Sequence, residues 1–253
     1  MLSRNGIYQN PKSYATPNLD LLTFLYGKLA RGHNLIKKPP SSLPQLESEY
    51  PVALPDSVLH AEAERPSIFL NKAGLQRLFE EFAFGLRKRF NVGGHGRNKD
   101  DVVLFSTGQV AYPAAFYAII AAGGVASLAS SSYTPYELVR QVQQGQANVL
   151  IASPDILDVA RKAVSLVTDR KVTIVVLSTE PDYSLRVDGE GEAGELRGQT
   201  MDERLTWERI TDETELENSL IALLYSSGTT GEPKGKPQDN SPMASHLFIP
   251  RQF

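Results

Sequence analysis

The stretch LIALLYSSGTTGEPKG, residues 220–235, is an apolar run that ends in a loop of hydroxyls and glycines. LIALLYSS (220–227) reads as a buried strand. In the loop, Gly228, Gly231 and Gly235 let the backbone bend and approach a ligand closely. Ser226, Ser227, Thr229 and Thr230 carry hydroxyls that can donate to phosphate oxygens, and Lys234 adds a mobile positive charge. Successive backbone N–H groups in such a bend form an anion-binding concavity. A loop of this kind directly after a strand is a common seat for nucleotide phosphates. It is not a Walker A loop. That pattern needs Gly, four residues, Gly-Lys, then Ser or Thr; here Thr230 stands at the first-glycine position and Pro237 follows Gly235-Lys236. A plain Ser/Thr/Gly linker rarely combines an apolar strand, this order of hydroxyls and glycines, and Pro-Lys-Gly.

Upstream, strand and helix patterns alternate. SIFL (67–70) predicts a short strand. From Asn71 an apolar face of Leu75, Leu78, Phe79, Phe82, Leu86 and Phe90 predicts a helix, with basic residues in its last turn to suit the helix dipole. NVGGHGRNKDD (91–101) reads as a loop and VVLFS (102–106) as a strand. AYPAAFYAIIAA (111–122) reads as a helix with Pro113 in its first turn and Gly123-Gly124 as its stop. VASLA (125–129) is a strand, and TPYELVRQVQQ (134–144) a helix capped by Thr134. VLIAS (149–153) is a strand, Ser153-Pro154 opens a helix to about Val167, and VTIVVLS (172–178) is a strand. This alternation predicts an α/β fold, a parallel sheet with covering helices. The acidic, Gly-rich stretch 179–218 reads as surface loop.

Composition narrows the function. The 253 residues carry 41% apolar and 22% charged side chains, ordinary for a globular chain. A net charge of −3 gives no sign of a nucleic-acid partner. With no cysteine, thiolate nucleophiles and zinc–thiolate sites are excluded. The four histidines are scattered, so no residue is assigned as a metal ligand. No apolar run reaches the roughly 18 residues of a membrane span. The N-terminal stretch lacks a signal-peptide core, and Arg-Gln-Phe at the end is not a peroxisomal address. These features predict a cytoplasmic location. Tyr112, Phe116, Tyr117 and Tyr136 sit at helical spacing and read as core. Asp155 and Asp158 read as a solvated first helical turn, and the acidic run 201–216 as charged surface.

YSSGTTGEPKG (225–235) resembles the signature loop of adenylate-forming enzymes: acyl-CoA and 4-coumarate–CoA ligases, luciferases and peptide-synthetase adenylation domains. FSTGQVAYPAAFYAIIAAGGVASLASSSYTPYELVRQV (105–142) and LNKAGLQRLFEEFAFGLRKRF (70–90) resemble upstream stretches of the same family. The likeness covers roughly residues 20–235 and looks most like the fungal coumarate–CoA-ligase-like enzymes of secondary metabolism. The chain departs from the family at Ser130-Ser131, where members often have Asn-Pro. The resemblance implies an ATP-dependent acid–thiol ligase: a small-molecule carboxylic acid attacks the ATP α-phosphate, and coenzyme A then takes the acyl group. It implies ATP with Mg²⁺ as the bound group and CoA as co-substrate. It makes Ser226, Ser227, Gly228, Thr229, Thr230, Gly231 and Lys234 the phosphate contacts.

The resemblance also divides the chain. Residues 1–55 form an irregular N-terminal segment, docked by Leu21, Leu22, Phe24 and Leu25. Residues 56–235 form the N-terminal part of the large AMP-binding domain, ending at the phosphate loop. Residues 236–253 form a divergent, disordered tail. In family members the acyl pocket, the ribose-binding Asp and a mobile lid with its catalytic lysine lie downstream. No catalytic residue is therefore assigned, and the C-terminal lid domain is absent from the 253 residues. Where members continue with Val, two residues and Ser/Thr-His, this chain has KPQDNSPMASHLFIPRQF. Gly235-Lys236 can be encoded by GGT AAR, a splice-donor start, so the tail reads as translated intron. A different codon for Gly235 sinks that reading. The expectation is a C-terminally truncated acyl-CoA ligase, inactive alone and poorly soluble. A non-catalytic nucleotide- or partner-binding remnant, or a pseudogene product, stands as the alternative.

Overall fold

The structure is a computed structural model that describes residues 19–27, 54–96, 99–226 and 234–239. β1 (Val58–Ala61) and β2 (Phe69–Asn71) form a small antiparallel ribbon. β1 has no counterpart in the expectation, and β2 starts later than Ser67 because Ile68 is held in a turn by Arg65 O. α2 (Lys72–Phe90) follows as expected, and Asn71 Oδ1 caps it by accepting from Gly74 N at 2.7 Å. Its Leu75, Leu78, Phe79, Phe82 and Leu86 are buried. Each contributes about 1.5–3 kcal/mol of transfer free energy.

Among the described residues the main sheet has seven strands. Its parallel centre is β3 (Asp101–Phe105), β4 (Val125–Ala129), β5 (Val149–Ala152), β6 (Thr173–Ser178) and β8 (Leu220–Ser226). β7 (Ser184–Val187) and β9 (Lys234–Asp239) are antiparallel edges. The spatial order is β7-β6-β5-β3-β4-β8-β9. α3 (Tyr112–Ala121) leaves β3 and packs with α2 on one face. α4 (Pro135–Gln144) and α5 (Leu157–Ser165) cover the other. This is the expected α/β fold, a mostly parallel sheet with helices on both faces. Gly123 has φ +79 just past α3, the left-handed conformation expected of a helix stop.

Two stretches differ from the expectation. After Ser153 the chain makes a 3-10 turn, Pro154–Ile156, before α5, and α5 ends at Ser165. Ser153 makes no cap bond; its Oγ is engaged by the Thr107 backbone instead. The stretch 179–218 is not simply surface loop. It supplies β7, a 3-10 turn at Gly191–Gly194 and α6 (Glu213–Asn218), and it buries Leu185, Val187, Leu196 and Ile210. Its density of Glu, Asp and Gly hides these singly spaced apolar residues. Glu81 of α2 holds it down, accepting from Arg197 Nε at 2.7 Å. At Gly85 a Cβ would collide with the Leu196 carbonyl oxygen, so only glycine allows this approach.

Within the N-terminal segment, α1 (Leu21–Tyr26) docks on the core through Leu21, Leu22 and Tyr26, with Leu25 partly buried. Asp20 caps it and also accepts from Ile210 N at 3.0 Å. Tyr117 packs edge-on against Tyr26, as a core residue should. Tyr136 does not join the core: it is 73% exposed, because the N-terminal turn of α4 faces outward there. Asp158 lies in the first turn of α5 with Arg161 Nη1 3.5 Å away. Of the tail, residues 236–239 continue β9, and the rest lies outside the described residues.

Candidate functional site

In open α/β sheets, ligands bind beyond the carboxyl ends of the strands, where neighbouring connections leave for opposite faces. Here the connection from β3 goes to the α3 face, while those from β4 and β5 go to the other. Crevices therefore open on both sides of β3.

The crevice between β3 and β5 is filled by the protein itself. Thr107 N donates to Ser153 Oγ at 3.1 Å, and Ser106 Oγ donates to Thr107 O at 2.9 Å. Gln109 Nε2 reaches Ser106 Oγ at 3.0 Å and Leu177 O at 3.1 Å. Thr179 Oγ1 donates to Gln109 Oε1 at 3.0 Å and accepts from Ala111 N at 3.2 Å. The sequence reading did not single out this cluster. VVLFS and VLIAS end in Ser106 and Ser153, but no local pattern pairs these with Gln109 or Thr179.

Between β4 and β8 the end of the sheet is differently built. After β4, Ser130 bends the chain with its own side chain. Its Oγ lies 2.8 Å from Ser132 Oγ, and Tyr133 N bonds Ser130 O at 3.0 Å. Ser130 and Ser132 thus support a local turn by hydroxyl bonding. Thr134 then opens α4 with a full capping box. Glu137 Oε2 accepts from Thr134 N at 2.8 Å, and Thr134 Oγ1 from Glu137 N at 3.4 Å. The Thr134 N–H, and the Thr134 hydroxyl donating to Glu137 Oε2 at 2.8 Å, hold the Glu137 carboxyl below the usual range.

β8 runs directly into the candidate phosphate loop. Its register with β9 sets Ser226 opposite Lys234, so the two ends of the loop are neighbours across the hairpin. Ser227, Gly228, Thr229, Thr230 and Gly231 lie outside the described residues. Residue chemistry fits a polyphosphate: Ser226 is a hydroxyl donor and Lys234 an ammonium. Tyr225, the residue before the loop, is half-buried and hydrogen-bonds Ser127 of β4. Burial pushes its hydroxyl pKa up.

A cavity of about 330 Å³ lies elsewhere, at the amino end of the strands, lined by Asp20, Arg87, Gly124, Trp207 and Leu220 among others. Its polar groups are used internally. Asp20 bonds Thr23 N and Ile210 N, while Arg87 donates to Val92 O and Ala122 O, each at 2.6 Å. Chemistry and sheet topology favour the carboxyl end over this cavity. Among the described residues no group of three or more His, Asp or Glu could hold a metal ion, and no helix is long and apolar enough to cross a membrane.

Comparison with known proteins defines the class. The AMP-binding enzyme family model matches residues 70–245, and the chain belongs to that family. It is 36% identical over 96% of its length to a protein of Emericella nidulans provisionally named an acyl-coenzyme A synthetase. It is 29% identical over 78% to 4-coumarate–CoA ligase-like 3 of Oryza sativa subsp. japonica. The chain spans 38% and 34% of those two relatives' lengths. Among solved structures, the anthranilate CoA ligase AuaEII in complex with anthranoyl-AMP superposes with a TM-score of 0.56 at 22% identity. That match covers 80% of this chain and 35% of that one. ATP-bound MatB from Rhodopseudomonas palustris gives 0.53 at 22% identity, covering 76% and 33%. These superpositions carry the fold: the chain has the architecture of part of an adenylate-forming enzyme.

Proposed function

We propose that the chain is the N-terminal part of the large domain of an acyl-CoA ligase that works in secondary metabolism. The reaction joins a small carboxylic acid to coenzyme A at the expense of ATP. The carboxylate oxygen bonds to the α-phosphorus, pyrophosphate leaves, and the CoA sulfur then displaces AMP from the acyl carbon. One observation supports this reading above others. The register of β8 and β9 sets Ser226 opposite Lys234 at the carboxyl end of the sheet, at the mouth of a hydroxyl-rich loop. Ser226, Ser227, Thr229, Thr230 and Lys234, with the backbone of Gly228 and Gly231, would hold the β- and γ-phosphates. Mg²⁺ would neutralise charge between the phosphates. Phosphoryl chemistry of this kind needs positioning and charge neutralisation more than a protein nucleophile. ATP and CoA as substrates favour the cytoplasm.

Residues 1–253 on their own carry the loop without an assigned acyl pocket, so we expect no turnover from them. Pyrophosphate release by the purified 253-residue chain, assayed against a panel of carboxylic acids, tests this directly. Release with any acid overturns the expectation. Sequencing the transcript across codons 230–253 tests the origin of the tail. A spliced frame that continues as Val, two residues and Ser/Thr-His identifies a longer ligase. A mature message that stops after Phe253 favours a nucleotide-binding remnant.

A further inference from the structure

Three polar side chains sit together inside the apolar layer between α4 and the sheet. Ser127 is 0% exposed and Gln141 3% exposed, in the middle of β4 and on the inner face of α4. Gln141 Nε2 donates to Ser127 Oγ at 2.9 Å. Ser127 stands opposite Leu223 of β8 in the parallel ladder. Tyr225 lies two residues beyond Leu223, hence on the same face of the sheet. Ser127 is a side-chain hydrogen-bond partner of the Tyr225 hydroxyl. A continuous line of side chains thus runs from α4, through β4, to the last residue before Ser226.

Burying this line is costly. An apolar residue at position 141 would match Leu138 and Val142 on the same helix, both fully buried. Gln141 Oε1 has no hydrogen-bond partner, and a buried acceptor left unpaired costs roughly 1–3 kcal/mol. Core packing alone gives no return for that cost, whereas a fixed orientation for the end of β8 does. Among the described residues, β8 is bordered on one side by β4 and on the other by the antiparallel β9 alone. On the opposite face of β8, Leu224 is 45% exposed, so packing there does little to fix the strand's end.

We propose that Gln141 and Ser127 are positioning residues that act through Tyr225 to fix the loop-proximal end of the β8–β9 hairpin, and with it Ser226 and Lys234. The proposal rests on the phosphate-loop reading above. Preorganised donors cost no reorganisation when the polyphosphate arrives. A hydroxyl–amide tether is suited to this, because it fixes direction where apolar contact fixes only distance.

The test is hydrogen exchange of the 253-residue chain, wild type against Tyr225→Phe and Gln141→Leu, with and without magnesium tripolyphosphate. Tyr225→Phe removes one oxygen from a half-buried ring, and Gln141→Leu removes the unpaired acceptor, so both variants should fold. We expect amides at 223–226 and 234–236 to exchange about tenfold faster in both variants, which corresponds to about 1.4 kcal/mol. Amides of β3 and β5 should stay unchanged, which a general loss of packing would not give. Tripolyphosphate should slow the same hairpin amides in wild type and slow them less in the variants. Unchanged hairpin exchange in both variants overturns the tether, while the phosphate reading survives if tripolyphosphate still protects. Faster hairpin exchange with no tripolyphosphate effect in wild type overturns the phosphate reading, and with it the positioning role.

Discussion

The backbone N–H of Thr107 donates to Ser153 Oγ at 3.1 Å, tying together the carboxyl ends of two neighbouring parallel strands. Ser153 is buried, and the same oxygen lies 3.4 Å from Thr107 Oγ1. Ser153→Ala removes the acceptor and leaves the Thr107 N–H unpaired, at a cost of about 1–2 kcal/mol. The urea midpoint should fall with an unchanged slope. A midpoint equal to wild type would mean that solvent replaces the bond.

Glu81 is buried and meets three arginines: Arg77 at 2.8 Å, Arg197 at 2.7 Å and Arg204 at 3.4 Å. Arg204 Nε is itself buried without a hydrogen-bond partner. Glu81→Ala would leave this positive cluster uncompensated, a loss of about 3 kcal/mol or more. Glu81→Gln keeps the shape and should recover part of it. Because Arg197 carries the segment that follows β7, proteolysis within residues 188–203 should accelerate in the Ala variant. Equal cleavage rates would assign the docking to Leu185 and Leu196 instead.

Asp101 opens β3, and burial, with a smaller contribution from the neighbouring Asp100 charge, pushes its pKa up to about 6. The folded state therefore holds this proton more tightly than the unfolded chain. Its contribution to stability is full below pH of about 4 and is lost as pH rises through about 6. Asp101→Asn should stabilise the protein at neutral pH by about 1–2 kcal/mol and flatten the dependence in that window. Denaturant titrations between pH 4 and 7 read this. A parallel pH curve for the variant would place the titration elsewhere.

Trp207, the single tryptophan, donates from Nε1 to Thr23 Oγ1 at 2.9 Å, and its ring centroid lies 5.9 Å from that of Phe79. It therefore reports on the docking of α1. Leu22→Ala empties a fully buried site and should cost about 2–4 kcal/mol. Trp207 emission should shift to the red at a lower denaturant concentration than the loss of far-UV helical signal. Coincident transitions would make α1 part of the cooperative core rather than an outer layer.

Much of the fold was legible because its signals are local. Thr134 caps α4, Asn71 caps α2, and VASLA forms β4, since caps, proline positions and apolar periodicity act within a few residues. β7 was not legible. SLRV is short, set among acidic residues, and is a strand because β6 offers it an edge. The Ser106–Gln109–Thr179 cluster was hidden for a related reason: its bonds join residues 68 to 70 positions apart.

The sequence by itself determined the strand–helix alternation, the family, and the residue chemistry of the loop from Ser226 to Lys234. Tertiary structure alone decided the strand order that places β8 beside β4, the crevice that Thr107 and Ser153 close, and the line from Gln141 through Ser127 to Tyr225. The physical reason is range. Propensity, capping and turn chemistry are set by neighbours along the chain. Strand order, burial of a polar group and the partner it finds depend on which distant surfaces the folded chain brings together.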